Sequence, residues 1–534
     1  MLFPTAIFAC FFALVYALHW ALPERGVARK LALLAASIFF YAWWSWKFAI
    51  MLLVSAAVNH AAARYAGRNG PAPQDQEGRN GPAPQDQEGR NGPAPQDQDG
   101  RNGPAPQDKA RRRILVAAVV ANLALLAFFK YSHFLFMDVF HPLAVVCLRQ
   151  FGSIEALIDF EDRILPFLDS IILPIGISFC TFQAISYVVD AYTGKGRPAD
   201  SFLDFANYLA FFPKLCAGPI VRPSELLPQM ETLPARAAPI DTGRAATLVL
   251  GGLFKKVVVA NWIAQHLADP VFTDPESYGA IDSLLAIYGY AIQIYCDFSA
   301  YSDIATGCAL LLGFKFPDNF RAPYVATSLQ DFWRRWHITL SSWLRDYLYI
   351  PLGGSRCATW KIHRNLILTM LLGGLWHGAG WSYILWGAIH GVGQSIERLF
   401  RTRHATADSR NSAFGSRNSA LDIAKGLLTF HVVAFAWIFF RAGAADAEGL
   451  ATVRLLLASL SDWTAPATLL TWTAAIFLAL GFALQALDGG TPQRLWKAFG
   501  RLHPVLQGIV AAILLTIILG LGPAGVAPFI YFQF

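Results

Sequence analysis

Charge is what this chain lacks. Of its 534 residues only 15% are Asp, Glu, Lys or Arg, 43 basic and 36 acidic, where an ordinary soluble protein carries about a quarter. A soluble globular surface cannot be built from so few charges. A disordered chain is excluded as well, because such chains lack apolar residues and this one is 55% hydrophobic and 14% aromatic. Cysteine is sparse and unpatterned. The seven residues (10, 147, 180, 216, 296, 308 and 357) form no C-x-x-C pair, so neither a disulfide framework nor a Cys-based zinc site is indicated. No dense Lys/Arg stripe with interleaved aromatics suggests a nucleic-acid surface, and the net charge of +7 reads as positive-inside loops. Walker A, H-E-x-x-H, G-x-S-x-G and dinucleotide fingerprints are all missing, which removes the commonest soluble enzyme chemistries.

What is present is a series of long apolar runs. A spanning helix needs about 20 mostly apolar residues, and candidate runs recur from 3–22 to 505–522. The chain therefore reads as an all-α polytopic membrane protein, with roughly 11 to 13 transmembrane helices plus re-entrant or interfacial helices. The run at 2–22 has no preceding Lys or Arg and is too long for a signal core, so it reads as the first transmembrane helix. Basic residues cluster at 25–30, 64–113 and 195–197, while 131–163 is richer in acid. That alternation places the N-terminus in the periplasm and the basic loops in the cytoplasm.

One segment breaks the pattern. RNGPAPQDQEG at 68–78 repeats at 79–89, then as RNGPAPQDQDG at 90–100 and truncated as RNGPAPQD at 101–108. The unit has no large apolar residue, and its Gly and Pro favour a solvated coil. We read 65–113 as a disordered cytoplasmic loop expanded by duplication, 401–420 (with SRNSA twice) as a mobile loop, and 1–534 as a single membrane domain.

Unusual residues concentrate between about 290 and 400. In YCDFSAYSDIATG (295–307), Asp297 and Asp303 interrupt an otherwise apolar run. Ionisable groups at membrane depth face a cavity or a partner, so these read either as site residues or as structural contacts at a helix break. DFWRRWHITLSSWLRDYLYIPLGG (331–354) reads as an amphipathic helix lying in or re-entering the membrane. Trp333, Trp336, Leu340, Trp343 and Tyr347 form one stripe, and Arg334, His337, Ser341 and Arg345 the other. Trp and Arg suit the headgroup level. On periodicity alone, His337 reads as a histidine lining that polar face. In 365–391, His377 follows an apolar run and is flanked by Gly373, Gly374, Gly378 and Gly380. A histidine at membrane depth is a site candidate by default, and imidazole can take a proton from an acceptor and return it. His390 lies about 220° away around a continuous helix, and shares that site only if the glycines break the helix.

WRRWHITLSSWLRDYLYIPLGG followed by LLGGLWHGAGWSYILWGAIHG resembles the membrane-bound O-acyltransferase family, within it the bacterial branch that serves alginate O-acetylation and teichoic-acid D-alanylation. Supporting stretches are ASIFFYAWW, LPIGISFCTFQAISYVVDAY, FFPKLCAGPIVRP and the terminal PFIYFQF. The resemblance implies the fold of that family, an acyl donor such as acetyl-CoA approached from the cytoplasm, and histidines of the family's motifs at His377 and His337. It implies passage of the acyl group across the membrane to a periplasmic partner protein that acetylates a polysaccharide. Thr339 stands where the family commonly has Ser. Charge alone suggests Arg334 and Arg345 as holders of donor phosphates, with Ser341, Trp336, Asp297 and Asp303 as further contacts. Readings that compete are D-alanyl transfer, a non-catalytic transporter with the two aspartates on its pathway, and a structural scaffold.

Overall fold

A computed structural model describes residues 3–24, 27–67, 106–151, 154–235, 240–407, 419–443, 449–487, 492–522 and 529. The described residues are helical throughout, with turns and no strand. The elements that position the site are α1 (Ala6–Ala21), α2 (Val27–Ala42), α3 (Trp46–Ala66), α4 (Pro106–Phe134), α5 (Ile177–Thr193), α6 (Phe202–Ala210), α7 (Thr242–Leu253), α8 (Ala280–Leu311), α9 (Leu329–Trp333), α10 (Ile338–Leu344), α11 (Thr359–His377), α12 (Trp381–Ala407) and α13 (Ser419–Ala442).

Among the described residues four stretches are long and apolar enough to cross a membrane by length and composition, Trp46–Ala66, Asp108–Cys147, Thr242–Thr273 and Ala420–Ala442, and four shorter apolar helices accompany them. The other helices are shorter or carry the polar groups of the interior. Most of the repeat segment, 68–105, and the loop at 408–418 lie outside the described residues. α4 begins at Pro106, inside the truncated repeat copy, so the chain between α3 and α4 is shorter than the 65–113 loop read from the sequence. Proline at a helix start fixes φ where no N–H is needed.

Charged connections gather at one end. Arg29 donates to the Pro234 carbonyl at 2.7 Å, Lys30 pairs with Asp204, Arg111 donates to the Ala66 carbonyl at 2.8 Å and Arg197 pairs with Glu231 at 2.5 Å. The opposite end is aromatic: Tyr41 donates to the Ile175 carbonyl at 2.7 Å, and Phe134 meets Trp381 edge-on at 5.7 Å. The two ends thus separate the segments whose charge separates them in sequence.

α8 is the central post. It is 32 residues long, about 48 Å, and nearly every side chain on it is buried. It is continuous through 297–303, where the sequence suggested a break. α11 and α12 form a tight hairpin made possible by glycine. A Cβ on Gly374 would lie 2.2 Å from the Tyr383 carbonyl oxygen, and one on Gly387 would lie 2.3 Å from that of Met370.

Candidate functional site

The segment 329–349 is not one helix. α9 and α10 are separate, and His337 between them adopts φ 42°, ψ 54°. A left-handed non-glycine backbone costs energy and persists only where its surroundings over-determine it. Here Asn319 does so. Its backbone carbonyl accepts from Ile338 N at 2.9 Å. Its Oδ1 accepts from Thr339 N at 3.2 Å, Thr339 Oγ1 at 2.8 Å and His337 Nδ1 at 3.1 Å. Its Nδ2 donates to Ser302 Oγ on α8 at 3.0 Å. The Thr339 hydroxyl also accepts from Ile220 N at 3.0 Å, a task serine would perform equally.

The chain enters at α9, whose first N–H, that of Leu329, donates to Glu397 at 2.6 Å. It turns at His337 and returns through α10 to Asp346, which pairs with Arg222 at 3.0 Å at the charged end. His337 is therefore the tip of a re-entrant loop, fully buried, with its ring 4.6 Å from Phe298 and 6.3 Å from Trp376. Backbone N–H of Thr339 can only donate, so the Asn319 atom facing His337 is the carbonyl oxygen. Nδ1 of His337 must then carry the proton. Nε2 presents a lone pair with no hydrogen-bond partner among the described residues.

His377 ends α11 and is buried, with Trp376, Trp386 and Phe440 rings at 4.9, 5.1 and 5.1 Å. Two consecutive residues of α4 hold that helix end. Lys130 Nζ donates to the carbonyls of Trp376 and His377, both at 2.7 Å, and Tyr131 Oη donates to that of Leu375 at 2.7 Å. These last-turn carbonyls have no partner within their own helix, and a cation suits the negative end of the dipole. His377 and Lys130 line a cavity of about 110 Å³ with Ile175, Gly176, Cys216 and Trp376.

A larger cavity of about 540 Å³ lies toward the charged end. Arg334, Ser341, Arg345, Arg398, Glu397 and Met370 are among its walls. Met370 and His377 are seven residues apart on α11, so the two cavities sit about 10 Å apart along one helix. The larger one can hold an anionic, elongated ligand; the smaller one can hold a small acyl group or hydroxyl beside an imidazole. Among the described residues no group of three His, Cys, Asp or Glu could hold a metal ion.

The structure thus brings Arg334, Ser341 and Arg345 together on one cavity and His377 on the other, with His337 buried at the loop tip. Three expectations change. Trp333, Trp336 and Trp343 are buried inside the bundle rather than turned outward to lipid; Trp343 stacks on Phe182 at 3.7 Å, and Trp336 packs on Phe320 and Trp437 at 5.0 Å each. Asp297 and Asp303 are held in ion pairs with Lys256 at 2.5 Å and Lys255 at 2.6 Å, on the π-helical continuation of α7 (Phe254–Ala260), and line neither cavity. His390 joins the histidines after all. α11 stops at His377 and α12 starts at Trp381, and His390 meets Trp386 at 5.0 Å, the same ring that meets His377 at 5.1 Å. Sequence reasoning passed over Lys130 and Asn319; a lone lysine in an apolar helix was the one available signal for the first.

Comparison with known proteins follows the same lines. The model of the MBOAT, membrane-bound O-acyltransferase family, matches residues 197–418. A probable alginate O-acetylase AlgI of Pseudomonas aeruginosa is 36% identical over 445 residues, which cover 83% of this chain and 72% of that protein. A peptidoglycan O-acetyltransferase of Helicobacter pylori is 34% identical over 83% of this chain and 77% of its own length. A teichoic acid D-alanyltransferase of Bacillus subtilis is 27% identical over 55% of this chain and 77% of that protein.

Proposed function

The chain belongs to the membrane-bound O-acyltransferase family, a multi-pass membrane enzyme that transfers acyl groups, and from that premise we propose that it takes acetyl from cytoplasmic acetyl-CoA and delivers it across the inner membrane for O-acetylation of an exopolysaccharide such as alginate. The observation that carries this reading is the pair of cavities on α11, one basic and at the charged end, the other small and beside His377. With the charged end in the cytoplasm, and the N-terminus in the periplasm, Arg334 and Arg345 face the phosphates of the donor and Ser341 contacts its polar arm. The acetyl thioester points inward toward the histidines.

His377 is the general base. It takes the proton of the acceptor hydroxyl as the oxygen bonds to the acyl carbon. The carbon–sulfur bond then breaks, and the proton passes to the leaving thiolate. His337 Nε2, a lone pair without a partner among the described residues, accepts a hydrogen bond from a second donor group of the acceptor and orients it. The immediate acceptor is a periplasmic partner protein that passes acetyl to the polysaccharide.

The test uses the full chain in membrane vesicles with labelled acetyl-CoA. His377→Ala is expected to accumulate normally in the membrane while acetyl transfer and CoA release fall by at least about 10²-fold. Unchanged transfer would sink the assignment of the base, and wild-type vesicles that release no CoA would sink the donor.

A further inference from the structure

The α11–α12 hairpin places two histidines against one indole, both in edge-type contact. Trp386 has His377 at 5.1 Å and His390 at 5.0 Å, and both Trp386 and His390 are buried. Trp333 donates its indole N–H to Nδ1 of His390 at 3.3 Å. An indole nitrogen is a donor only. Nδ1 is therefore the acceptor, and in the neutral ring the proton sits on Nε2.

His337 and His390 are thus opposite tautomers. The first ends in a lone pair and the second in an N–H. Neither Nε2 of His390 nor Nε1 of Trp386 has a hydrogen-bond partner among the described residues. Buried donors are almost always bonded, since leaving one unmade costs its full desolvation. Both donors sit on rings within two ring contacts of His377, the histidine that lines the small cavity. Donors held in place before charge develops, in a site without water, are what stabilises an oxyanion during acyl transfer.

We propose that His390 is a hydrogen-bond donor to the reacting acyl group: its Nε2–H, with the Trp386 N–H, receives the carbonyl oxygen. This rests on the acyltransferase reading and adds to it a residue and a division of labour. As the acceptor oxygen bonds to the acyl carbon, the carbonyl π pair moves onto oxygen, and the oxyanion is held by these two donors. The pair returns as the thioester C–S bond breaks. The hydroxyl proton travels through His377 to the thiolate. His390 gains and loses no proton.

The experiment compares His390→Phe, which keeps the aromatic volume without the donor, with His390→Gln, which keeps an N–H near Nε2. CoA release from acetyl-CoA by the full chain in membrane vesicles gives kcat, KM and the pH profile. His390→Phe is expected to lose about 10²-fold in kcat with KM for acetyl-CoA unchanged. His390→Gln is expected to recover to within about tenfold of wild type and to keep the wild-type pH profile. His390→Phe at the wild-type rate overturns the proposal. So does His390→Gln as slow as His390→Phe at equal membrane levels, because a titrating ring would then be what matters. If His390→Phe does not accumulate, Trp386→Phe carries the test, and a full rate in it overturns the donor pair. Wild-type vesicles without CoA release overturn the acyltransferase chemistry itself, and this inference with it.

Discussion

Lys130 is the residue whose removal should separate position from stability. Its ammonium is held by the carbonyls of Trp376 and His377, and no carboxylate among the described residues bonds to it. Two hydrogen bonds from a charged donor are strong in a low-dielectric interior. Against them stands the desolvation of an ammonium without a counter-ion, several kcal/mol by itself. The two nearly cancel. Lys130→Met fills the same volume and removes both, and the cavity that Trp376 and His377 line gives water access to the two carbonyls left behind. Its global stability should therefore shift by no more than about 1–2 kcal/mol.

Activity should not be so forgiving. His377 is the last residue of α11, and Lys130 and Tyr131 together hold three successive carbonyls of that last turn. Without the ammonium, two helix-end carbonyls must find other partners, and the turn that carries His377 moves. A displacement near 1 Å in a reacting group costs about 10²-fold, or about 2.7 kcal/mol of barrier. Lys130→Met should lower kcat by that factor with the thermal midpoint nearly unchanged. Tyr131→Phe, which loses one neutral bond of about 1 kcal/mol, should cost less than tenfold. The assay is CoA release from vesicles alongside thermal unfolding of the purified protein. Wild-type kcat in Lys130→Met refutes the positioning argument, and a loss of activity that merely tracks loss of folded protein refutes the cancellation.

Three further outcomes follow from the same geometry. Asn319→Ala strands three donors, each costing about 1–3 kcal/mol, so the thermal midpoint should fall sharply, whereas Asn319→Asp keeps the acceptor and should melt near wild type. Lys256→Ala removes the ammonium that faces buried Asp297, at a cost of about 3–5 kcal/mol; Lys256→Met with Asp297→Leu should restore most of the midpoint, and the activity per folded molecule should stay at wild type in both. Arg334→Ala and Arg345→Ala should each raise KM for acetyl-CoA severalfold at low salt without changing kcat. The effect of Arg345, whose side chain is 61% exposed, should shrink at high ionic strength; a KM that does not move would remove these residues from the donor cavity.

Fold class and site segments were legible because both are written in local composition. Apolar runs in a charge-poor chain leave only a membrane bundle, and polar groups inside such runs mark themselves. The losses came wherever a distant residue sets the local geometry. Periodicity at 331–354 describes one amphipathic helix, and nothing within that window announces φ 42° at His337. The residue that enforces it, Asn319, lies 18 positions earlier. Asp297 and Asp303 looked like site residues because their lysines sit more than 40 positions away on another helix. His390 was left conditional on a helix break that its own window does not decide, and the chain makes that break at Gly378–Gly380.

Low charge makes partnership the sharper guide to the site. In a bundle this apolar every polar group must be answered by another, and most are: Lys255 by Asp303, Lys256 by Asp297, Lys214 by Gln183, Lys130 by two carbonyls. Such pairing explains why a polar residue at membrane depth is not by itself evidence of chemistry, even though it is the natural place to look. Chemistry needs a polar atom that the protein has left for something else. His337 Nε2, His390 Nε2 and the Trp386 and Trp376 indole nitrogens are all unpartnered among the described residues. Each lies one or two ring contacts from His377. Their convergence, rather than the count of buried charges, is what supports the proposed reacting centre at the junction of the 329–349 loop with the end of α11.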